Sequence, residues 1–360
     1  MNRNFCGIRK IILLVNIAVM MMFTSCSGPS VGAGVTKPPV QDMRMDLLGT
    51  LISVSIYDDA DAGSSRRVFD EAFDIVADID ARMSVNNPDS EISNIGRAGG
   101  KNAVAVSEDT YELIERAIGF SELYGGVFDI TVGAVMELWK TDEVFNVRPD
   151  DEEIKNRLPL INYKDVFLTD EGGVMLKKEG MKLDLGSIAK GYACDKVLEY
   201  LKSQDIAAAL LDFGGNIYVY GSKPDGSQWK VGIRAPIAGE NEVVCTATVS
   251  DVSVVTSGGY ERYFEEGGVV YHHLLDPETG YPAKNGLLSV SIVDASSTRA
   301  DALSTACFVL GLEEGYKLLE SLPESEGIFI TDDNNVYVTT ELFDKVDLLD
   351  KRFKIVENPL

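Results

Sequence analysis

Asp301 and Thr305 stand four residues apart in an apolar run, Ser297–Leu310, that Gly311 closes. On a helix, that spacing puts both oxygen-bearing side chains on one face. Ala300, Ala302, Leu303, Ala306, Cys307 and Phe308 surround them, and a carboxylate in apolar company needs a partner. Arg299 or a backbone cap would supply one, since Asp301 falls in the first turn. A hard cation would supply another, because magnesium takes carboxylate and hydroxyl oxygens.

A second group lies in Lys182–Ala193, where an apolar run ends in Asp184, Gly186 and Ser187 before a helical pattern carrying Lys190. A strand that turns into a helix there offers unpaired backbone N–H groups to an anion. An ordinary connection with Ser187 as a capping residue fits the same letters. His272 and His273 are the only histidines. Strand alternation sends them to opposite faces, so that one can pack while the other, a natural base near neutral pH, faces a cleft. Adjacent strand residues cannot both ligate one metal, which argues against zinc. No Gly-x-Ser-x-Gly elbow and no Walker-type loop is present, and Gly214-Gly215 lacks the spacing of a dinucleotide fingerprint.

These residues need a scaffold of helices and strands. Arg66–Met83 carries Phe69, Ala72, Phe73, Val76, Ile79 and Met83 at helical spacing. Further helices are expected over Glu108–Leu123, from about Asp150, after Ser187, over Ser297–Leu310 and over Glu313–Leu322. Strands are expected over Arg44–Tyr57, with Gly49 a bulge or close approach, and near 165–168 and 174–176. They are expected again over Ala207–Leu211, Gly215–Tyr220, Trp229–Ile233, Val243–Val249, Val252–Thr256, Leu288–Val293, Ile328–Ile330 and Val336–Thr339. Strands in runs broken by helical blocks favour an α+β fold with largely antiparallel, mixed sheets and packed helices.

Arg3, Arg9 and Lys10 precede the apolar run Ile11–Phe23, and Thr24-Ser25-Cys26 follows. This has the form of a lipoprotein signal peptide over residues 1–25, too short for a stable membrane span, with Cys26 as the lipidated residue. A flexible tether is expected over 26–43, one folded domain over 44–345 and a C-terminal tail over 346–360. The formal net charge is −24, which disfavours nucleic acid and anionic lipid as partners. Cys194, Cys245 and Cys307 are widely spaced, with no pair suited to zinc or a disulfide framework.

Seven segments in one order resemble the successive motifs of the ApbE family, the FAD:protein FMN transferases once described as thiamine-biosynthesis lipoproteins. They are Leu48-Gly49-Thr50, Phe128-Asp129-Ile130-Thr131-Val132-Gly133, Asp184 through Tyr192, Gly214-Gly215-Asn216, Thr256-Ser257-Gly258, His273 through Pro282, and Ala300 through Ala306. The resemblance runs from about Arg44 to Tyr337. Leu48 stands where methionine is common, and Ser187 where glycine or alanine is.

The resemblance implies an enzyme that binds FAD and, with Mg²⁺, joins its FMN phosphate to a threonine or serine hydroxyl of an acceptor protein, releasing AMP. It implies Asp301, Thr305 and the backbone carbonyl of Ser187 as metal ligands, and His273 as the group that accepts the hydroxyl proton. It places Leu48, Asn86, Val127, Phe128, Asp129, Asp184, Lys190 and Leu275 against FAD. Two alternatives share the site: an FAD pyrophosphatase giving FMN and AMP, and a flavin-binding lipoprotein without turnover. Expected acceptors are flavoprotein subunits of membrane redox complexes, of the sodium-pumping quinone reductase or Rnf type. A lipid on Cys26 would hold the enzyme in the bacterial cell envelope, facing the periplasm.

Overall fold

The β-branched and aliphatic runs pair into one large twisted sheet whose two faces carry different covers. The structure, a computed structural model, describes residues 39–57, 62–141, 144–237 and 242–356. The signal-peptide segment and Cys26 lie outside the described residues. Among those described, nine strands form the main sheet. In spatial order they are Val40–Leu47, Thr50–Ile56, Ala209–Phe213, Asn216–Tyr220, Val252–Gly258, Leu287–Asp294, Ser325–Thr331, Asn335–Val338 and Lys354–Val356. Every neighbouring pair is antiparallel except the last, where Asn335–Val338 and Lys354–Val356 run parallel. The fold is α+β, as expected.

Strand alternation separates the two faces. Val255, Ile292 and Phe329 point into a core shared with the helices Ala62–Met83, Ala189–Ser203, Ser297–Leu310 and Leu312–Glu320. Their chain neighbours Val254, Val293, Ile328 and Ile330 point the other way. There they meet Trp229, Val231 and Ile233 of a small sheet built from Trp229–Arg234, Val243–Val249 and Val346–Leu348. In the 62–83 helix the residues at helical spacing are all buried: Phe69, Ala72, Phe73, Val76, Ile79 and Met83. Cys194, Cys245 and Cys307 are free and buried. Among the described residues no helix is long and apolar enough to cross a membrane.

Three boundaries differ from the sequence reading. Arg44–Tyr57 is two strands rather than one, because Leu48 and Gly49 both take positive φ (49° and 68°) and Leu47 pairs with Thr50 across a two-residue turn. The first strand begins at Val40, inside the expected tether, with Val40 opposite Ile56. Residues 346–356 are not a trailing tail: Val346–Leu348 pairs with Val243–Val249, and Phe353 is buried in the second core. Alternation does not mark the C-terminal strands, because they are three residues each and Val346–Leu348 takes its partner from about 100 residues earlier.

Candidate active site

Two helices meet where the motifs converge. The 189–203 and 297–310 helices approach so closely that a Cβ on Gly191 would stand 2.2 Å from the carbonyl oxygen of Ser297. Only glycine permits that approach. Each helix satisfies the other's start. Asp195 accepts from Ser297 N (2.8 Å), Thr298 N (2.9 Å), Thr298 Oγ1 (2.6 Å) and Ser296 Oγ (3.0 Å). Asp301 in turn accepts from Gly191 N at 2.9 Å and from Lys190 Nζ at 3.2 and 3.4 Å.

That contact decides part of what the sequence left open. Arg299 is not the partner of Asp301, since its guanidinium binds Asp294 and Glu324. Ser296, not Asp301, caps its own helix, accepting from Arg299 N. Ser187 makes no capping bond at the 189–203 helix, whose N-cap position is Ile188. The Asp301 side chain is 3 % exposed, with a lysine ammonium and one N–H on an anion that has room for more donors. Thr305, one turn on, is half-buried, its hydroxyl 3.4 Å from Ser257 Oγ. Among the described residues no three His, Cys, Asp or Glu side chains stand together as a metal cluster. A cation here would therefore rest on one carboxylate, neutral oxygens and substrate phosphate. Hard oxygens of that kind suit magnesium, so the residues fit the ion.

His273 follows a two-stranded hairpin, Tyr263–Glu266 with Val269–His272. Its Nδ1 lies 3.2 Å from the carbonyl oxygen of Arg262. A carbonyl only accepts, so Nδ1 carries the proton and Nε2 is left with a lone pair. Water reaches the ring, yet protein encloses it on most sides. That enclosure, then the charges of Arg262, His272 and Lys190, push its pKa down to about 3. His272 differs. Its Nε2 donates to Ala283 O at 3.0 Å, its Nδ1 accepts from Leu274 N at 3.3 Å, and its ring packs edge-on against Phe308. His272 is thus the packed, doubly bonded member of the pair, and His273 keeps one ring nitrogen uncommitted.

The remaining candidates fall into two groups. Asp184 adjoins the 128–133 segment through Asp184 N to Ile130 O (2.8 Å) and a bridge between Val132 and Lys182. Its carboxylate accepts from Gly186 N at 2.8 Å, with Lys140 Nζ at 3.7 Å. Val127 is half-buried, and Phe128 is buried in the main core. Asp129 spends its oxygens on Thr131 N, Thr131 Oγ1 and Tyr163 N, so it holds its own loop in shape. Burial raises its pKa against those bonds. Leu48 gives its N–H to Asp80 in the 62–83 helix. Leu275 is buried beside Val135, Trp139 and Ile154, under a turn anchored by Trp139 Nε1 to Gly280 O at 3.0 Å. Asn86 is exposed after the 62–83 helix, and no side-chain bond ties it to the others among the described residues.

Several residues here were not singled out from sequence. Glu261 is open to solvent yet surrounded by protein. Enclosure raises its pKa, while Lys190, Arg234 and Arg262 lower it. Arg234 lies over the Tyr260 ring at 5.5 Å. Arg262 extends toward the Leu48-Gly49 turn. Lys190, Arg234 and Arg262 thus all lie within electrostatic reach of Glu261. Tyr260-Glu261-Arg262, directly after Ser257-Gly258-Gly259, was the available signal. Arg234 left none, because it sits at an ordinary outward position of an alternating strand. Asn216, buried in the Gly214-Gly215-Asn216 turn, has an Nδ2 without a partner among the described residues, a donor that a ligand or water would satisfy.

Residues 48–329 match the model of the ApbE family. The chain belongs to the ApbE family. It is 38 % identical over 321 residues to the FAD:protein FMN transferase of Treponema pallidum, spanning 85 % of this chain and 89 % of that one. It is 32 % identical to a Klebsiella pneumoniae FAD:protein FMN transferase, across 86 % of this chain and 95 % of the relative. A crystal structure of the ApbE protein of Thermotoga maritima superimposes with a TM-score of 0.78 at 32 % identity, covering 85 % and 99 % of the two chains. The Vibrio cholerae flavin transferase ApbE does so with a TM-score of 0.75 at 27 % identity, covering 86 % and 100 %. ApbE membership makes this chain an enzyme, and flavin transfer is the activity of its relatives.

Proposed function

We propose that this ApbE enzyme transfers FMN from FAD to a threonine or serine hydroxyl of an acceptor flavoprotein and releases AMP. The observation that carries the reading is the meeting of Asp301, one turn before Thr305 on its own helix, with Gly191 N and Lys190 at the start of the 189–203 helix. The acceptor oxygen bonds to the FMN-side phosphorus as the bond from that phosphorus to the bridging oxygen breaks, and AMP leaves with that oxygen. The hydroxyl proton passes to Nε2 of His273, which the Arg262 carbonyl holds in the required tautomer. Asp301, Thr305 and the backbone carbonyl of Ser187 would hold Mg²⁺. When bound, the ion supplies positive charge to the phosphate oxygens and the leaving AMP. Lys190 neutralises Asp301 in the structure as it stands and adds cationic charge beside the pyrophosphate. Arg234 and Arg262 extend that charge in a protein that is otherwise strongly acidic.

Leu48, Asn86, Val127, Phe128, Asp129, Asp184 and Leu275 are proposed to shape the FAD site, Phe128 and Asp129 from behind through the fold of their loop. The mature enzyme is proposed to carry lipid on Cys26 and to work in the cell envelope on periplasm-facing flavoproteins, such as subunits of quinone reductase or Rnf complexes. Co-expression with a candidate acceptor and in-gel flavin fluorescence test the reading. A fluorescent acceptor band that requires this enzyme and disappears with Asp301→Ala is expected. FMN and AMP released with the acceptor unlabelled would make it a pyrophosphatase, and FAD bound but uncleaved would make it a carrier.

A further inference from the structure

Two hydroxyls stand in series behind Thr305. Ser304 Oγ lies 2.9 Å from the carbonyl oxygen of Asp301, Ser257 Oγ lies 2.8 Å from Ser304 Oγ, and Thr305 Oγ1 lies 3.4 Å from Ser257 Oγ. Ser257 and Ser304 are buried at 8 % and 0 % exposure, so no bulk water reorients them. The direction of the chain follows from one end. A carbonyl oxygen can only accept, so Ser304 spends its single proton there. Ser257 must then donate to Ser304, and its oxygen is free only to accept. Across the 3.4 Å contact Thr305 is therefore the donor to Ser257, which leaves its lone pairs for another partner.

We propose that Ser257 and Ser304 are positioning residues that set the polarity of the Thr305 hydroxyl, presenting it as a pure acceptor to a divalent cation. The proposal rests on the cation reading given above. A hydroxyl whose proton is held elsewhere loses no orientation on binding a cation, and outer partners of this kind govern metal affinity. Ser257 comes from the strand Val252–Gly258 and Ser304 from the 297–310 helix, so the relay also ties the helix to the sheet at the site.

The test titrates the purified full chain with Mn²⁺ and follows the electron paramagnetic resonance signal of the free ion. Ser257→Ala and Ser304→Ala are each expected to weaken Mn²⁺ binding about tenfold, and Ser257→Thr, which keeps the hydroxyl, to bind as the parent does. In turnover assays the KM for Mg²⁺ rises by the same factor in the alanine variants, while kcat at saturating Mg²⁺ stays within about twofold. Parent-like Mn²⁺ affinity in both folded alanine variants, with affinity lost in Asp301→Asn and Thr305→Val, overturns the relay and leaves the cation reading standing. Parent-like affinity in all four variants overturns both.

Discussion

His273 Nδ1 is committed to the Arg262 carbonyl, and that single bond makes the other nitrogen a base. Removing it should slow the chemical step without loosening the flavin. His273→Gln is expected to lower kcat about 100-fold or more while the FAD dissociation constant, read from flavin fluorescence, changes less than about twofold. The pH behaviour follows from enclosure. The folded pKa is pushed down to about 3 from an ordinary 6.5, so His273 of the free enzyme is neutral across the physiological range. The profile of kcat/KM should then show no His273-dependent acid limb near 6.5. A limb there that vanishes in His273→Gln would contradict the lowered pKa and leave His273 as the base. The sign for stability is set by the same shift. The unfolded chain binds the proton first, so stability is lost as pH falls from about 6.5 toward 3. Urea unfolding of His273→Gln should show a weaker dependence over that range. How much of the site was legible follows from these residues. Asp301, Thr305, Lys190 and His273 were visible from type, spacing and motif. Arg234 and Glu261 were not, because only the folding together of distant segments brings them near Lys190 and Arg262.

At the scale of elements, the decisive feature is the reciprocal pair of helix starts. The sequence placed Asp301 on a helix but offered a partner within that helix, whereas the partner belongs to another one, 110 residues earlier in the chain. Local spacing cannot report such a contact. Asp195 is the counterpart, taking four donors at the start of the 297–310 helix. Asp195→Ala is expected to cost about 1–3 kcal/mol of stability, by the loss of a cap and the orphaning of N–H groups, measured by urea denaturation. Gly191→Ala would force a methyl group against the Ser297 carbonyl. Overpacking of about 1–3 kcal/mol is expected, together with weaker Mn²⁺ binding as the two helices move apart. Full stability and metal affinity in Gly191→Ala would show that the close approach is not needed.

On the scale of the whole molecule, the α+β class and most strand positions were legible, because alternation and helical spacing are local signals. The order of strands was not. The main sheet inserts the 252–258 strand between 216–220 and 287–294, which brings Ser257 under Thr305. The C-terminal segment 346–356 has no legible alternation because its strands are only three residues long, yet it covers a sheet edge and buries Phe353. Truncation after Lys345 should accordingly lower the melting temperature by several degrees and promote aggregation through the freed edge of Val243–Val249. An unchanged melting curve would count against that structural role.

The central claim is that this site moves FMN onto a protein. Intact-mass analysis of an acceptor subunit incubated with the purified enzyme, FAD and Mg²⁺ tests it most directly. The predicted result is an acceptor heavier by one FMN, less the water lost in forming the ester, with an equal amount of AMP and no shift with Asp301→Ala. An acceptor of unchanged mass beside free FMN and AMP would contradict it.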